Sequence, residues 1–266
     1  MPKLSPHQER RREWGAVTAR VFGVEVDAID AAAAIDRIVE WCREGTRGYV
    51  VTANVDHTIM LRRDAAFRAA YSGALMVVAD GAPLVWASRL GGLRLPERVA
   101  GSDLVRPLCA AAARDGLSVF LLGTTLETLA RAAQRLVAAS PDLQIAGVYA
   151  PPFGFGPDAP ENAEVAGVLA TCRPDILLIA LGAPKQEIWA HRWVERLDVH
   201  VALCVGASLD FIAGSQTRAP IWLQKVGLEW LHRALSQPAR LGPRYLRNLI
   251  WLPRLFAEQI LSRGKP

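Results

Sequence analysis

Apolar runs of about five to seven residues, each closed by turn-forming residues, recur from residue 21 to residue 205. They predict strands at Val21–Val26, Tyr49–Asn54, Leu75–Ala79, Ser118–Leu122, Gln144–Tyr149, Asp175–Ala180 and Val199–Val205. Stretches with helical spacing lie between them. Asp30–Glu44 carries Ile35, Ile38, Val39 and Cys42 on one face. Asp56–Tyr71 follows, then Ser102–Arg114 with Ser102 as N-cap candidate, Thr125–Ala139, Asn162–Cys172 and Lys185–Arg196. Several strands are apolar on both faces and the connections are short. That is the signature of a mostly parallel sheet covered by helices, a doubly wound α/β fold. From about Ile221 the strand signal stops, and helical sequence punctuated by Pro238, Pro243 and Pro253 remains. Three segments are expected: an arm over residues 1–20, an α/β domain over 21–217, and a helical appendage over 218–266.

Charge sharpens this division. The net charge is +5, yet residues 218–266 alone carry +7 and residues 1–20 carry +3, which leaves the body at −5. The basic appendage also holds Trp222, Trp230, Tyr245, Trp251 and Phe256. Basic residues interleaved with aromatics suit an anionic surface, whether lipid headgroup, phosphate or nucleic acid. They equally suit an ordinary helix pair packed on its own domain with arginines on the wet side. The composition, 51% hydrophobic and 21% charged, is globular and argues against a disordered or fibrous protein. No apolar run reaches 18 residues, so a spanning helix is not expected. Charged residues near the N-terminus have no apolar segment behind them, so no signal peptide and a cytoplasmic location are expected. Cys42, Cys109, Cys172 and Cys204 are widely spaced, which predicts free thiols rather than a disulfide framework or zinc site.

In a sheet of this kind ligands bind beyond the carboxyl ends of the strands. Those ends present Thr52-Ala53-Asn54, Asp80-Gly81, Gly123-Thr124-Thr125, Gly182-Ala183-Pro184-Lys185-Gln186 and Gly206-Ala207-Ser208-Leu209-Asp210. The loops at Gly123 and Gly182 run from strand to helix, where a close backbone and a helix N-terminus favour phosphate; plain chain reversal gives the same pattern. Neither is a dinucleotide fingerprint or a P-loop, which disfavours NAD binding and ATP hydrolysis. Asp80, at the tip of an apolar strand, is a candidate general base, or a turn former. Asp210 is a candidate partner for ribose hydroxyls, or a helix cap. Arg98, just ahead of a helix, can clamp phosphate, or pair with Glu97 or Asp103. The five histidines form no metal-binding spacing, and Ser208 lacks the second glycine of a nucleophile elbow.

Six segments occur in order: Thr52-Ala53-Asn54, Val78-Ala79-Asp80-Gly81, Glu97 to Asp103, Gly182 to Glu187, Arg218-Ala219-Pro220 and Gly227 to Arg233. Together they resemble the WecG/TagA/CpsF family of bacterial glycosyltransferases over about residues 20–250. The resemblance implies a Rossmann-like domain with a C-terminal appendage that docks at the membrane and completes the active site. It implies inverting, metal-independent transfer of N-acetylmannosamine or another hexose from a UDP-sugar donor. The acceptor is a polyprenyl-diphosphate-linked sugar, in cell-envelope or extracellular polysaccharide synthesis such as teichoic acid. By position, Asp80 matches the family's base, Thr52 and Asn54 its acceptor pocket, and Arg98 and Gln186 the residues near diphosphate and sugar. Asp210 matches a nucleoside contact, and Arg218, Arg233, Arg240 and Arg244 match appendage arginines. Gly123, Gly182 and Lys185 complete the expected substrate-binding set. The chain departs from the family at Ala53 and Val55, where prolines are usual, and at Asp56-His57, near a frequent glutamate.

The resemblance further implies no cofactor, no nucleic-acid partner, a peripheral position on the cytoplasmic face of the membrane, and compatibility with a homo-oligomer. Removing residues after about 217 is then expected to release the protein from membranes and abolish transfer. Two rival readings stand beside it. One is another Rossmann-like sugar-nucleotide enzyme, which lacks here both the dinucleotide fingerprint and a Tyr-x-x-x-Lys pair. The other is a nucleic-acid-binding module using the basic tail, which a salt-dependent shift with generic DNA or RNA would reveal.

Overall fold

The computed structural model describes residues 14–15, 17–225 and 227–262, with Lys225 and Arg240 described in backbone only. Most of the arm expected over residues 1–20, and Arg263 and Lys265 of the tail, lie outside the described residues. The chain opens with strands β1 (Thr18–Val21) and β2 (Val24–Asp27). Helix α1 (Ala31–Glu44), β3 (Gly48–Ala53), α2 (Val55–Met60), α3 (Ala65–Ser72), β4 (Met76–Ala79), α4 (Ala82–Ser88) and α5 (Gly101–Asp115) follow. Then come β5 (Ser118–Gly123), α6 (Leu126–Ala139), β6 (Gln144–Tyr149), α7 (Asn162–Cys172), β7 (Ile176–Ala180) and α8 (Lys185–Trp193). The chain continues through β8 (Val201–Cys204), α9 (Ser208–Ala213), α10 (Ile221–Lys225), α11 (Glu229–Ser236) and α12 (Pro238–Leu261).

Six strands form one sheet in the order β4-β3-β8-β7-β5-β6, and every pairing is parallel. Every residue of β3, β4, β7 and β8 is buried, as strands between two helical layers must be. One face packs under α1, α5, α6 and α9; the other packs under α3, α4, α7, α8 and the far end of α12. The architecture is a Rossmann-like α/β fold, and the expected sheet strands from Tyr49 onward are present.

Three local expectations are corrected. Val21–Val26 is not a sheet strand but spans a hairpin, β1 and β2, paired antiparallel and apart from the main sheet. Phe22 (φ 51°) and Gly23 (φ 85°) both take the left-handed conformation, as a two-residue hairpin turn requires. Asp56–Tyr71 is two helices, because Asp64 caps the second by accepting from Phe67 N–H at 2.9 Å. Ser102 is not an N-cap: α5 starts at Gly101 with Ala100 in that position.

The hairpin is pinned by the main sheet and by the C-terminal helix. Asp27 Oδ2 accepts from Val77 N–H of β4 at 2.7 Å. Gln259 of α12 accepts from Phe22 N–H at 2.7 Å and donates to the Arg20 carbonyl at 2.9 Å, while Phe256 stacks edge-on against Phe22. Pro243 and Pro253 lie within α12 on its exposed side, where the backbone carbonyls they leave without partners are close to water.

Candidate functional site

The carboxyl ends of β3, β4, β7 and β8 open on one cavity of about 440 Å³, within the range of small-molecule sites. Its floor comes from the strand-end loops and its far wall from α11 and α12, through Trp230, Arg233, Arg244, Tyr245 and Leu249. Thr52, Asn54, Asp80, Arg98, Gly182, Gln186, Arg233 and Arg244 all line it. Gly123, Lys185, Asp210 and Arg218 do not, and the Arg240 side chain lies outside the described residues.

Asp80 follows the last residue of β4, and its N–H donates to the Ala53 carbonyl at 2.7 Å. That bond fixes the residue at the strand tip, with about a third of its side chain exposed to the cavity (32%). Burial pushes the Asp80 carboxyl from its ordinary 3.8 up to about 6; Arg98 pulls it down and Glu229 pushes it up. Arg98 Nη1 stands off at 3.9 Å, so it biases Asp80 without occupying it. The tighter partner of Arg98 is Asp103, at 2.6 Å; Glu97 instead accepts from Ala31 N–H. Arg218 joins the same network behind the cavity wall, at 2.6 Å from Asp103 and 3.4 Å from Glu229.

The remaining expected residues have definite local tasks. Asn54 caps α2, accepting from His57 N–H at 3.0 Å. Gln186 Oε1 accepts from the N–H groups of Gly182 and Gly206, tying the loops after β7 and β8 together. Asp210 accepts from the Thr124 hydroxyl at 3.2 Å. Lys185 is exposed at the first turn of α8. Gly123 (φ 126°) lies so close to β7 that a Cβ there would stand 2.5 Å from the Ala180 backbone. Packing alone therefore demands glycine at that position.

Sequence reasoning noted two buried carboxylates and a histidine but gave them no role in the site. Asp56 is nearly fully buried and pairs with Arg244 Nε at 2.7 Å and Arg247 Nη2 at 2.6 Å. The Arg244 contact is an ion pair by distance, but its Nε–H is not directed well enough for a hydrogen bond. This clasp joins the first turn of α2 to α12 across 191 positions of sequence. His57 also lines the cavity; its Nδ1 is 2.7 Å from the Tyr71 hydroxyl, which donates to the Thr52 carbonyl. Burial, reinforced by Arg244, pushes His57 down to about 4, so the ring is neutral at pH 7. Glu187, behind Gln186, is fully buried and pushed up to about 7 by burial.

One polarised carboxylate facing several guanidinium groups suits proton abstraction beside a developing anionic leaving group. Among the described residues, no group of three or more His, Cys, Asp or Glu is arranged to hold a metal ion. A model of the glycosyl transferase WecG/TagA/CpsF family matches residues 19–265. The chain belongs to this family. It is thereby a glycosyltransferase. A relative from Bacillus spizizenii is 32% identical over 192 residues, 72% of each chain. One from Bacillus subtilis is 28% identical over 216 residues, 81% of this chain and 80% of the relative. One from Staphylococcus aureus is 28% identical over 224 residues, 84% of this chain and 86% of the relative. All three are described as N-acetylglucosaminyldiphosphoundecaprenol N-acetyl-beta-D-mannosaminyltransferases.

Each of the five tail arginines whose side chains are described has an acidic or aromatic partner. Arg218 meets Asp103 and Glu229, Arg233 stacks over Phe211, Arg244 and Arg247 clasp Asp56, and Arg254 pairs with Glu258. Exposed apolar side chains accompany them: Ile221, Trp222, Leu235, Leu246 and Ile250. Among the described residues no helix is long and apolar enough to cross a membrane.

Proposed function

We propose that this glycosyltransferase moves N-acetylmannosamine, or another hexose, from a UDP-sugar to a sugar linked through diphosphate to a polyprenol. The observation that carries this reading is the Asp80 carboxyl, raised to about 6 at the mouth of a cavity that Arg98, Arg233 and Arg244 also line. The relatives' acceptor, N-acetylglucosamine on diphosphoundecaprenol, is the natural first candidate here. Asp80 accepts the proton of the acceptor hydroxyl as its oxygen attacks the anomeric carbon from the face opposite UDP. The carbon inverts, the bond to the diphosphate oxygen breaks, and that oxygen keeps the electron pair. The cavity arginines balance the new charge, so the reaction needs no metal. The enzyme works from the cytoplasmic face as a peripheral protein. Its exposed tail residues, Trp222 and Ile250 among them, enter the interface while its arginines stay engaged with the protein.

The test is a panel of UDP-sugars with a polyprenyl-diphosphate-N-acetylglucosamine acceptor, run with and without chelator. Transfer from UDP-N-acetylmannosamine that survives chelation supports the proposal. Asp80→Asn should lose most turnover while still binding UDP. Near wild-type turnover in that variant sinks the assignment.

A further inference from the structure

Gln186 faces the cavity, whereas Glu187, its neighbour in sequence, does not. The Gln186 amide is committed at both ends. Its Oε1 accepts from Gly182 N–H at 3.2 Å and Gly206 N–H at 3.1 Å, and its Nε2 donates to Glu187 Oε1 at 2.8 Å. Rotating the amide by half a turn would aim its NH₂ at two N–H donors and its oxygen at a carboxylate. Glu187 and the two N–H donors thus select the observed orientation together, Glu187 from the Nε2 side. Its own situation is costly: the residue is fully buried, and Oε2 has no hydrogen-bond partner among the described residues. An apolar side chain of similar volume would pack there at lower cost. A carboxylate in this place points to a task other than packing.

We propose that Glu187 is a positioning residue for sugar transfer: it locks the Gln186 amide so that Gln186 bridges the β7 and β8 loops and offers its second Nε2 hydrogen to the cavity. The raised carboxyl of Glu187 accords with a group held for its acceptor geometry in an apolar layer. Its charge also reaches Tyr71 and Cys204, the layer directly beneath the strand ends. The catalytic consequence rests on the proposed transfer function, but the lock itself does not, and the two are tested separately.

The lock is read by ¹⁵N NMR of the full-length protein without substrates. The Gln186 side-chain amide pair is assigned by its disappearance in Gln186→Ala. In Glu187→Leu, which removes the acceptor, the pair should shift, because Nε2 loses its partner while Oε1 keeps its two N–H donors. In Glu187→Gln, which retains an acceptor oxygen, it should stay near its wild-type position. An unchanged pair in Glu187→Leu overturns the proposal. Kinetics then read the consequence. Glu187→Leu should lower kcat about tenfold, the scale of a small misplacement. Donor KM should stay within about threefold, and Glu187→Gln should recover most of kcat. On a Gln186→Ala background, Glu187→Leu should cost less than about twofold more, because the two act as a unit. Additive losses, or no recovery in Glu187→Gln, refute a role exercised through Gln186. A wild-type enzyme without transfer activity would overturn the function and leave the NMR result to decide the lock.

Discussion

Replacing Asp80 by Asn should make the protein slower and more stable at once. In the folded state the carboxyl is raised from 3.8 to about 6, with burial as the first cause and Arg98 only partly opposing it. Two units of differential proton affinity correspond to about 3 kcal/mol. About a third of the side chain is exposed (32%), so solvent screening reduces this to roughly 1–2 kcal/mol. The sign follows from linkage. Below the unfolded value of 3.8 the group is protonated in both states and carries no penalty. As pH rises toward 6 the folded protein holds a proton that the unfolded chain has lost, and stability falls. Above 6 both states are ionised and the full penalty persists. The neutral, nearly isosteric Asn never incurs it. Melting followed by calorimetry should therefore show Asp80→Asn above wild type by about 2–6 °C at pH 7.5, a difference that closes near pH 4. Turnover at pH 7.5 should drop by about 10²–10⁴, the usual worth of a general base, while titration calorimetry shows UDP binding retained. Wild-type turnover should itself decline as pH falls through 6, since the base must be ionised. A variant that melts lower than wild type at pH 7.5 but not at pH 4 would mean that the ionised carboxylate makes a net favourable contact. It would then be an ion-pair partner of Arg98 rather than a strained base, and the reasoning would fail.

Four further outcomes bear on other parts of the molecule. Gly123→Ala should destabilise the protein by about 2–4 kcal/mol, because the new Cβ meets the Ala180 backbone at 2.5 Å; a melt within 1 °C of wild type would return Gly123 to the candidate ligand contacts. Asp56→Asn should cost about 1–3 kcal/mol, below the value for a fully buried pair because Arg244 and Arg247 are partly exposed, and should speed amide exchange in α12. Gln259→Ala removes the acceptor of the buried Phe22 N–H and should cost about 1–3 kcal/mol, with faster exchange at the hairpin; unchanged hairpin exchange would show that Phe256 alone suffices to hold it. Trp222→Ser combined with Ile250→Ser should weaken flotation with anionic liposomes while leaving the melting temperature within about 1 °C, since both side chains are exposed; undiminished flotation would place the membrane contact elsewhere.

What was legible in the sequence was whatever local pattern encodes. The strands from Tyr49 to Cys204 read correctly because burial on both faces leaves near-continuous apolar runs, and Thr125 read as a helix start because its hydroxyl caps α6. The hairpin did not, because Val21–Val26 has a single polar side chain, Glu25, and reads as one strand, and its turn depends on Phe22 adopting a left-handed φ, which Gln259 and Phe256 support from more than 230 residues away. Asp80 was visible as a polar residue at an apolar strand tip; Asp56 and Glu187 were hidden because their significance lies in distant or adjacent partners rather than in spacing. Glu187 left one trace: it closes the Gly182 to Glu187 segment, an ionisable residue straight after a pocket-lining Gln.

The same long-range contacts change how the basic tail should be understood. As sequence, nine cations among aromatics look like a surface element that can be cut away after residue 217. In the structure, Leu255 is fully buried in the core beneath the sheet, and Leu241, Arg244, Tyr245 and Leu252 form a wall of the cavity. Truncation would open the hairpin, strand Asp56 without its cations and remove that wall together, so lost transfer in a truncated chain says nothing specific about membranes. Part of the tail's positive charge is also met within the protein: Arg218, Arg244, Arg247 and Arg254 pair with Asp56, Asp103, Glu229 and Glu258. If the tail docks on an anionic leaflet as proposed, its attraction is weaker than seven free charges at roughly 1 kcal/mol each would give, and exposed apolar residues add to it. Salt separates the two contributions: if apolar insertion dominates, vesicle binding should persist from 0.1 to 0.5 M salt, whereas binding through unpaired arginines should largely disappear over that range.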